Sequence, residues 1–358
     1  IEVKYEILPA VFDVVDAMNP DCEVQIHPNH PRVNEPFCNI AGKTETQWGD
    51  VEKGFSQADL ICSDRFESHL RTHGYLEPQT TLADYNADGT LHLWISSMGP
   101  FVKRRKLAKA LGMPYASIQI HKAYVGGAFG GKIDLFSHEY CAAALSIKTA
   151  RPVKFVSSRE DVFAAYRHGQ PLISEIKTGL KKDGTIVAQQ LRMINNAGAY
   201  KGSGVVVIFL AWAFSMIPYR VENFKYEGYS IFSNNPPRAP LRGHGAPQVR
   251  FALESHMDII AEKLQIDPIE FRLKNARVAG EELPNRDSVH NCGLQECIQK
   301  AVLKTDFIKR RPPFPKFEKP SSLNPLKRGI GLGVSSYFGG SLIYPNSSSA
   351  IVKMADDG

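Results

Sequence analysis

The chain has 358 residues, enough for two hydrophobic cores, and is 43% apolar and 22% charged, the balance of an ordinary globular protein. Its net charge of +6 is modest for that length. One tight basic run, Lys103-Arg104-Arg105-Lys106, reads as a solvated helix face without interleaved aromatics, which argues against a nucleic-acid partner.

The opening, "IEVKYEILPA", alternates like a strand and carries no basic-then-apolar leader. Residues 19–48 are polar and rich in proline, as in a linker that wraps a surface. Asp50 opens a short helix, and Ala58 to Phe66 reads as a strand. "TLHLWISS" alternates as a half-buried strand, and "PYASIQIHKAYV" is a second strand that runs straight into "VGGAFGGKIDLFSHEY". Between these strands "PFVKRRKLAKALG" places Val102, Leu107 and Leu111 on one helical face.

Beyond the glycines, "FSHEYCAAALSIKTA" predicts a helix of small residues, and "RPVKFVSS" a strand. Asp183-Gly184 marks a hairpin between two long strands. The apolar run from Val205 to Ile217 is too short to span a bilayer and reads as a buried core element. Leu253, Met257, Ile260 and Leu264 define a further helix face. Asp267, Pro268 and Glu270 start the next helix by cap, first-turn proline and capping acid. Residues 309–328 read as a second linker. "GIGLGVSSYFGG" predicts a new strand, and the chain stops in mid-hairpin at Asp357-Gly358. Both ends cut across structure, so the expectation is a piece of a larger protein. The six cysteines form no C-x-x-C pair, which suits reduced thiols and a cytoplasmic location.

The glycine loop is the strongest local signal. Gly126, Gly131 and Lys132 fit a phosphate-cradling loop, but Ile133 stands where a magnesium-binding Ser or Thr belongs. Ala128 breaks the dinucleotide fingerprint. A tight turn between strand and helix remains open, although Phe129 among glycines suggests a ring held against a bound group. His138-Glu139 begins a zinc motif that Ala142 ends. His73 reads as a packed or capping histidine.

Five further strings occur with this loop: "GDVEKGF", "HGYLEPQ", "ARPVKFVSSRED", "NNPPRAPLRGHGAPQ" and "DPIEFRLKN". In this order, and over nearly the whole chain, they resemble the large subunit of the molybdenum hydroxylases, the xanthine dehydrogenase and aldehyde oxidase family. The resemblance implies an α+β fold of mixed sheets with packed helices. It implies the end of a hammerhead-like domain at 1–17, a linker at 18–50, and a first molybdopterin-binding domain at 51–308. A linker at 309–328 and the start of a second such domain at 329–358 follow.

It also implies a site. Gly127, Phe129, Gly130 and Gly131 would bring backbone to a molybdenum–molybdopterin group, in its cytosine dinucleotide form. Arg242 and Gly243 would lie over the metal and pterin, with Arg242 and Phe129 as the catalytic residues. No side chain would ligate the metal, which would sit near Phe129, Gly130 and Met98. The family's catalytic glutamate would lie outside this chain. Partners implied are the remaining half of the subunit, 2Fe-2S and FAD domains or subunits, and a second copy of the full complex as a dimer.

Departures from the family pattern bear on substrate. Met98 replaces a glutamine that points toward the metal. Ile133 and Leu210 stand where purine-oxidising members carry a glutamate and an arginine, and His244 replaces a phenylalanine. Gly243 stands where the carbon monoxide branch holds copper with a cysteine. These make Ile133, Leu210 and His244 the substrate-facing candidates. The implied reaction is hydroxylation of an aldehyde, an N-heterocycle or an aromatic acyl-CoA with oxygen from water. The alternative is a non-catalytic scaffold subunit that packs against a working one.

Overall fold

The structure, a computed structural model, describes residues 2–30, 37–202, 205–283, 288–311, 329–337 and 350–355. The chain builds two mixed sheets, each covered by helices, with loops from both meeting at one site. This is the α+β architecture that the resemblance implies.

A short helix α1 (Val14–Met18) precedes strand β1 (Ile40–Trp48), helix α2 (Val51–Ser56) and strand β2 (Leu60–Ser68). Strands β3 (Thr80–Tyr85) and β4 (Leu91–Ile95) follow, then helix α3 (Pro100–Leu111), strand β5 (Ile118–Lys122), helix α4 (Ser137–Thr149), strand β6 (Val153–Val156) and helix α5 (Arg159–Ala164). Strands β7 (Leu172–Leu180) and β8 (Ile186–Gly198) are joined to β9 (Asn223–Phe232) through helix α6 (Val206–Ser215). Helices α7 (Ala246–Leu264), α8 (Pro268–Asn275), α9 (Leu294–Lys304) and α10 (Phe307–Arg310) complete the described elements.

The larger sheet has the order β1-β9-β8-β7-β2, and the smaller one β5-β4-β3-β6. Hairpin β7–β8 turns where Asp183-Gly184 predicts, with Gly184 at φ +85° and the Asp183 carboxylate accepting from Thr185 N–H at 3.0 Å. Because β8 and β9 are parallel, a crossover is required, and apolar α6 supplies it. Leu191, Met193, Phe224 and Tyr226 face α6 and α7 across the main core, where Val249, Leu253, Met257 and Ile260 are buried. Leu264, the last residue of that predicted face, is only partly buried. The second core packs Ala83, Leu91, Leu93, Ile95 and Ile118 under Leu107, Ala142 and Ala143. The small residues of α4 let that helix approach the sheet closely.

Four sequence expectations need correction. Residues 2–13 form no strand; they run exposed to the Asp13-capped helix α1. Ile40–Trp48, read as linker, is an edge strand of the larger sheet. Its exposed positions, Glu45 and Gln47, are polar, as on the solvent face of an antiparallel pair. Residues 329–337 join no ladder among the described residues. They lie on the helices instead, with Val334 N–H donating to Glu254 Oε2 at 2.9 Å and the Tyr337 ring 4.6 Å from that of Phe214. Residues 312–328 of the second linker and the final Asp357-Gly358 lie outside the described residues.

The fourth correction is Lys103. It is not on a solvated face but buried, with Nζ donating to Glu139 Oε1 at 2.5 Å. The same carboxylate caps α4 through Phe136 N–H. Burial lowers the affinity of Lys103 for its proton and raises that of Glu139, and the mutual bond opposes both shifts. Lys103→Met would strand a buried carboxylate, so a loss of about 3–5 kcal/mol is expected in denaturant unfolding. A loss under about 1 kcal/mol, the value of a surface pair, would mean the pair is solvated.

Candidate functional site

Three stretches converge at one end of the smaller sheet. The glycine loop, residues 126–132, leaves β5 and leads into α4. Its conformation needs glycine at two places: φ is +97° at Gly127 and +105° at Gly130. Phe129 between them also sits at φ +48°, a left-handed conformation that is uncommon for a bulky residue and marks a held segment. Phe129 stays 44% exposed.

The second stretch is the arginine loop ahead of α7. Gly243, His244 and Gly245 have φ of +92°, +29° and +93° in succession. The two loops touch backbone to backbone, with Arg242 N–H donating to the Phe129 carbonyl at 3.0 Å. A Cβ on Gly130 would lie 2.1 Å from the Pro240 carbonyl oxygen, so no side chain fits there. His73 fastens the same Pro240 oxygen from below, its Nε2 at 2.7 Å. Arg242 itself is exposed.

The third stretch is the end of β4. Met98 N–H donates to the Lys132 carbonyl at 3.2 Å, and Met98 Sδ accepts from Gly130 N–H at 3.3 Å. The thioether therefore occupies a loop amide that a bound acceptor would otherwise take. Met98 is 49% exposed.

Gly131 packs over Tyr75 and His73, at 2.8 and 3.0 Å from where its Cβ would stand. "HGYLEPQ" thus supplies the floor of the glycine loop. Within that string the sequence reading overlooked Glu77. Its carboxylate accepts from Gly126 N–H, Ser96 Oγ and Lys132 Nζ. Partial burial raises the Glu77 carboxyl, but those three bonds outweigh it and hold it below its ordinary range. Lys132, read only as the end of a failed phosphate loop, is fully buried against it. A glutamate and a lysine at the ends of two glycine-bearing strings were the available signal.

His244 is a neutral imidazole at neutral pH. Burial lowers it to about 4, against the opposing charge of Asp134. Its Nε2 is buried and has no hydrogen-bond partner among the described residues. Leu210 stands beside this loop, its Cβ 3.3 Å from where a Gly245 Cβ would be. Ile133 is placed differently: it packs against Gly99 at the α3 cap. The structure therefore brings Phe129, Gly130, Met98 and Arg242 together, with His244 and Leu210 adjacent, and turns Ile133 toward α3. His138 bonds Tyr166 Oη at 2.9 Å within a buried aromatic cluster, as a packed histidine should.

Comparison with known proteins gives this geometry a context. Residues 27–276 match the family described as molybdopterin cofactor-binding domain. The chain is 33% identical over 302 residues to the nicotinate dehydrogenase large molybdopterin subunit of Eubacterium barkeri, covering 84% of this chain and 69% of that one. It is 29% identical over 338 residues to the xanthine dehydrogenase molybdenum-binding subunit of Escherichia coli, covering 94% and 43% respectively. The fold matches the aldehyde oxidoreductase from Desulfovibrio gigas with a TM-score of 0.80 and 26% identity, over 87% of this chain and 34% of that one. The chain thus spans less than half of the last two.

Proposed function

The chain belongs to the molybdopterin cofactor-binding domain family, that of the molybdenum hydroxylase large subunits, and from that premise we propose that its two glycine loops form one wall of a molybdenum–molybdopterin site. The observation that carries this is the backbone contact of Phe129 with Arg242, in a space too narrow for any side chain at Gly130. Such loops present amides at close range to a ligand. When bound, the group supplies two-electron redox and Lewis-acid chemistry that side chains lack.

In this reading Gly127, Phe129, Gly130 and Gly131 border the group, and Gly243 lets the arginine loop lie over it. Arg242 offers an exposed guanidinium to stabilise anionic oxygen or steer substrate. The Phe129 ring offers a face for a flat substrate. His244, whose buried Nε2 has no partner among the described residues, is the candidate to meet a substrate heteroatom as a neutral donor or acceptor once the arginine loop moves to uncover it. Met98 Sδ, which accepts from Gly130 N–H, would compete with the group for that loop amide.

The parent enzyme would hydroxylate an electron-poor carbon of an aldehyde, an N-heterocycle or an aromatic acyl-CoA with oxygen from water. The names of the relatives, nicotinate and xanthine dehydrogenases and an aldehyde oxidoreductase, fall within that range. Electrons would leave to 2Fe-2S and FAD partners, and the catalytic glutamate would come from outside this chain. We assign the cytosine dinucleotide form of the pterin, a dimeric full complex and a cytoplasmic location to the same reading.

Metal and pterin analysis of the purified complex tests it. Near one molybdenum per protomer is expected. None, under conditions that load related enzymes, would leave the chain as a non-catalytic scaffold.

A further inference from the structure

Glycine-rich loops are loose in the free chain and need something to hold them. Here one carboxylate ties both ends of the loop. Glu77 Oε2 accepts from Gly126 N–H at 2.6 Å, from Ser96 Oγ at 2.8 Å and from Lys132 Nζ at 2.9 Å. Lys132 Nζ donates again to the Glu77 carbonyl at 2.8 Å and to Ser96 Oγ at 3.0 Å. Glu77 N–H donates to the Gly126 carbonyl at 3.2 Å. The loop entrance, Gly126, and its exit, Lys132, are thereby tied to one residue.

The tie is hard to release. Lys132 is fully buried while the Glu77 side chain keeps 30% exposure, and an unpaired buried ammonium is strongly unfavourable. The tie also reaches the site. The Lys132 carbonyl holds Met98 N–H, and Met98 Sδ holds Gly130 N–H.

The geometry points to Glu77 as the positioning residue of this site: its carboxylate clasps both ends of the glycine loop and so fixes the Gly130 amide and the Phe129 carbonyl against the arginine loop. This rests on the loop being the cofactor wall, but the clasp itself is made entirely by this chain's own residues.

Hydrogen–deuterium exchange of the full chain, read on peptides across 124–133, tests it. Glu77→Gln keeps the shape and removes the charge, and should speed exchange there by about tenfold or more. Ser96→Ala, a milder change that leaves the ion pair intact, should speed it by less. Glu77→Asp keeps a carboxylate and should protect the loop better than Glu77→Gln. The reverse order would show that Glu77 only fills space. Unchanged loop exchange in both Glu77→Gln and Ser96→Ala, or an equal rise across β7 and β8, would overturn the clasp. Molybdenum content of the wild-type complex is read separately. If it is nil, the cofactor reading fails while the exchange result still decides the clasp.

Discussion

Gly130→Val should reduce turnover of the full complex by about three orders of magnitude or more, with the fold kept but the melting temperature lowered by roughly a few degrees. Two costs combine at this position. A branched side chain at φ +105° is strained by roughly 1–3 kcal/mol. Its Cβ would also lie 2.1 Å from the Pro240 oxygen, and that neighbour is backbone, so no rotamer relieves the overlap. The loops must part, and the Arg242–Phe129 bond breaks with them. A thousandfold loss corresponds to about 4 kcal/mol of transition-state stabilisation at ~1.4 kcal/mol per tenfold, which moving both loops away from the reacting centre would remove. The fold should survive, because Gly130 belongs to neither main core. Gly112→Ala is the control: it shares a positive φ, +64°, but its Cβ would meet nothing within 4 Å. That variant should lose about 1 kcal/mol of stability and no turnover. Retained turnover in Gly130→Val would mean the two loops do not face the reacting centre.

The residues of the two loops and their supports were unevenly legible in the sequence. Glycines around Phe129 marked a close backbone approach, and their spacing was visible. What they approach was not, since Pro240 lies about a hundred positions away and nothing local announces it. The same distance hid Glu77, which reaches Gly126 and Lys132 across 49 and 55 positions. Lys103 shows a different failure. It stands four residues before Leu107, so helical spacing put it on the core face. Its charge argued for solvent, and only Glu139 on a neighbouring helix reconciles the two. Ile40–Trp48 was hidden for a third reason: its partner β9 is remote in sequence, and its outer face is polar. Local pattern located α7, the β7–β8 hairpin and the glycine loop well, because each is specified by residues within a few turns of itself.

Xanthine should be a poor substrate of the reconstituted complex, by roughly two to four orders of magnitude in kcat/KM against the best of benzaldehyde, nicotinate and an aromatic acyl-CoA. Xanthine presents several ring N–H and carbonyl groups, and each one buried without a partner costs about 1–3 kcal/mol. Leu210 is the apolar neighbour of the arginine loop and supplies no donor. Met98 offers a thioether that accepts from Gly130 and has no N–H to give. Ile133 turns toward Gly99, so these two positions carry the deficit. Two such losses give the expected range at ~1.4 kcal/mol per tenfold. A flat substrate with one carbonyl or carboxylate asks for less, a demand the exposed Arg242 guanidinium would be expected to meet. Leu210→Arg provides the converse measurement: it should narrow the gap between xanthine and the preferred substrate by about tenfold or more. If xanthine is turned over best of the four, the apolar-wall argument at Leu210 and Met98 is wrong, and Arg242 and His244 must be read as purine contacts instead.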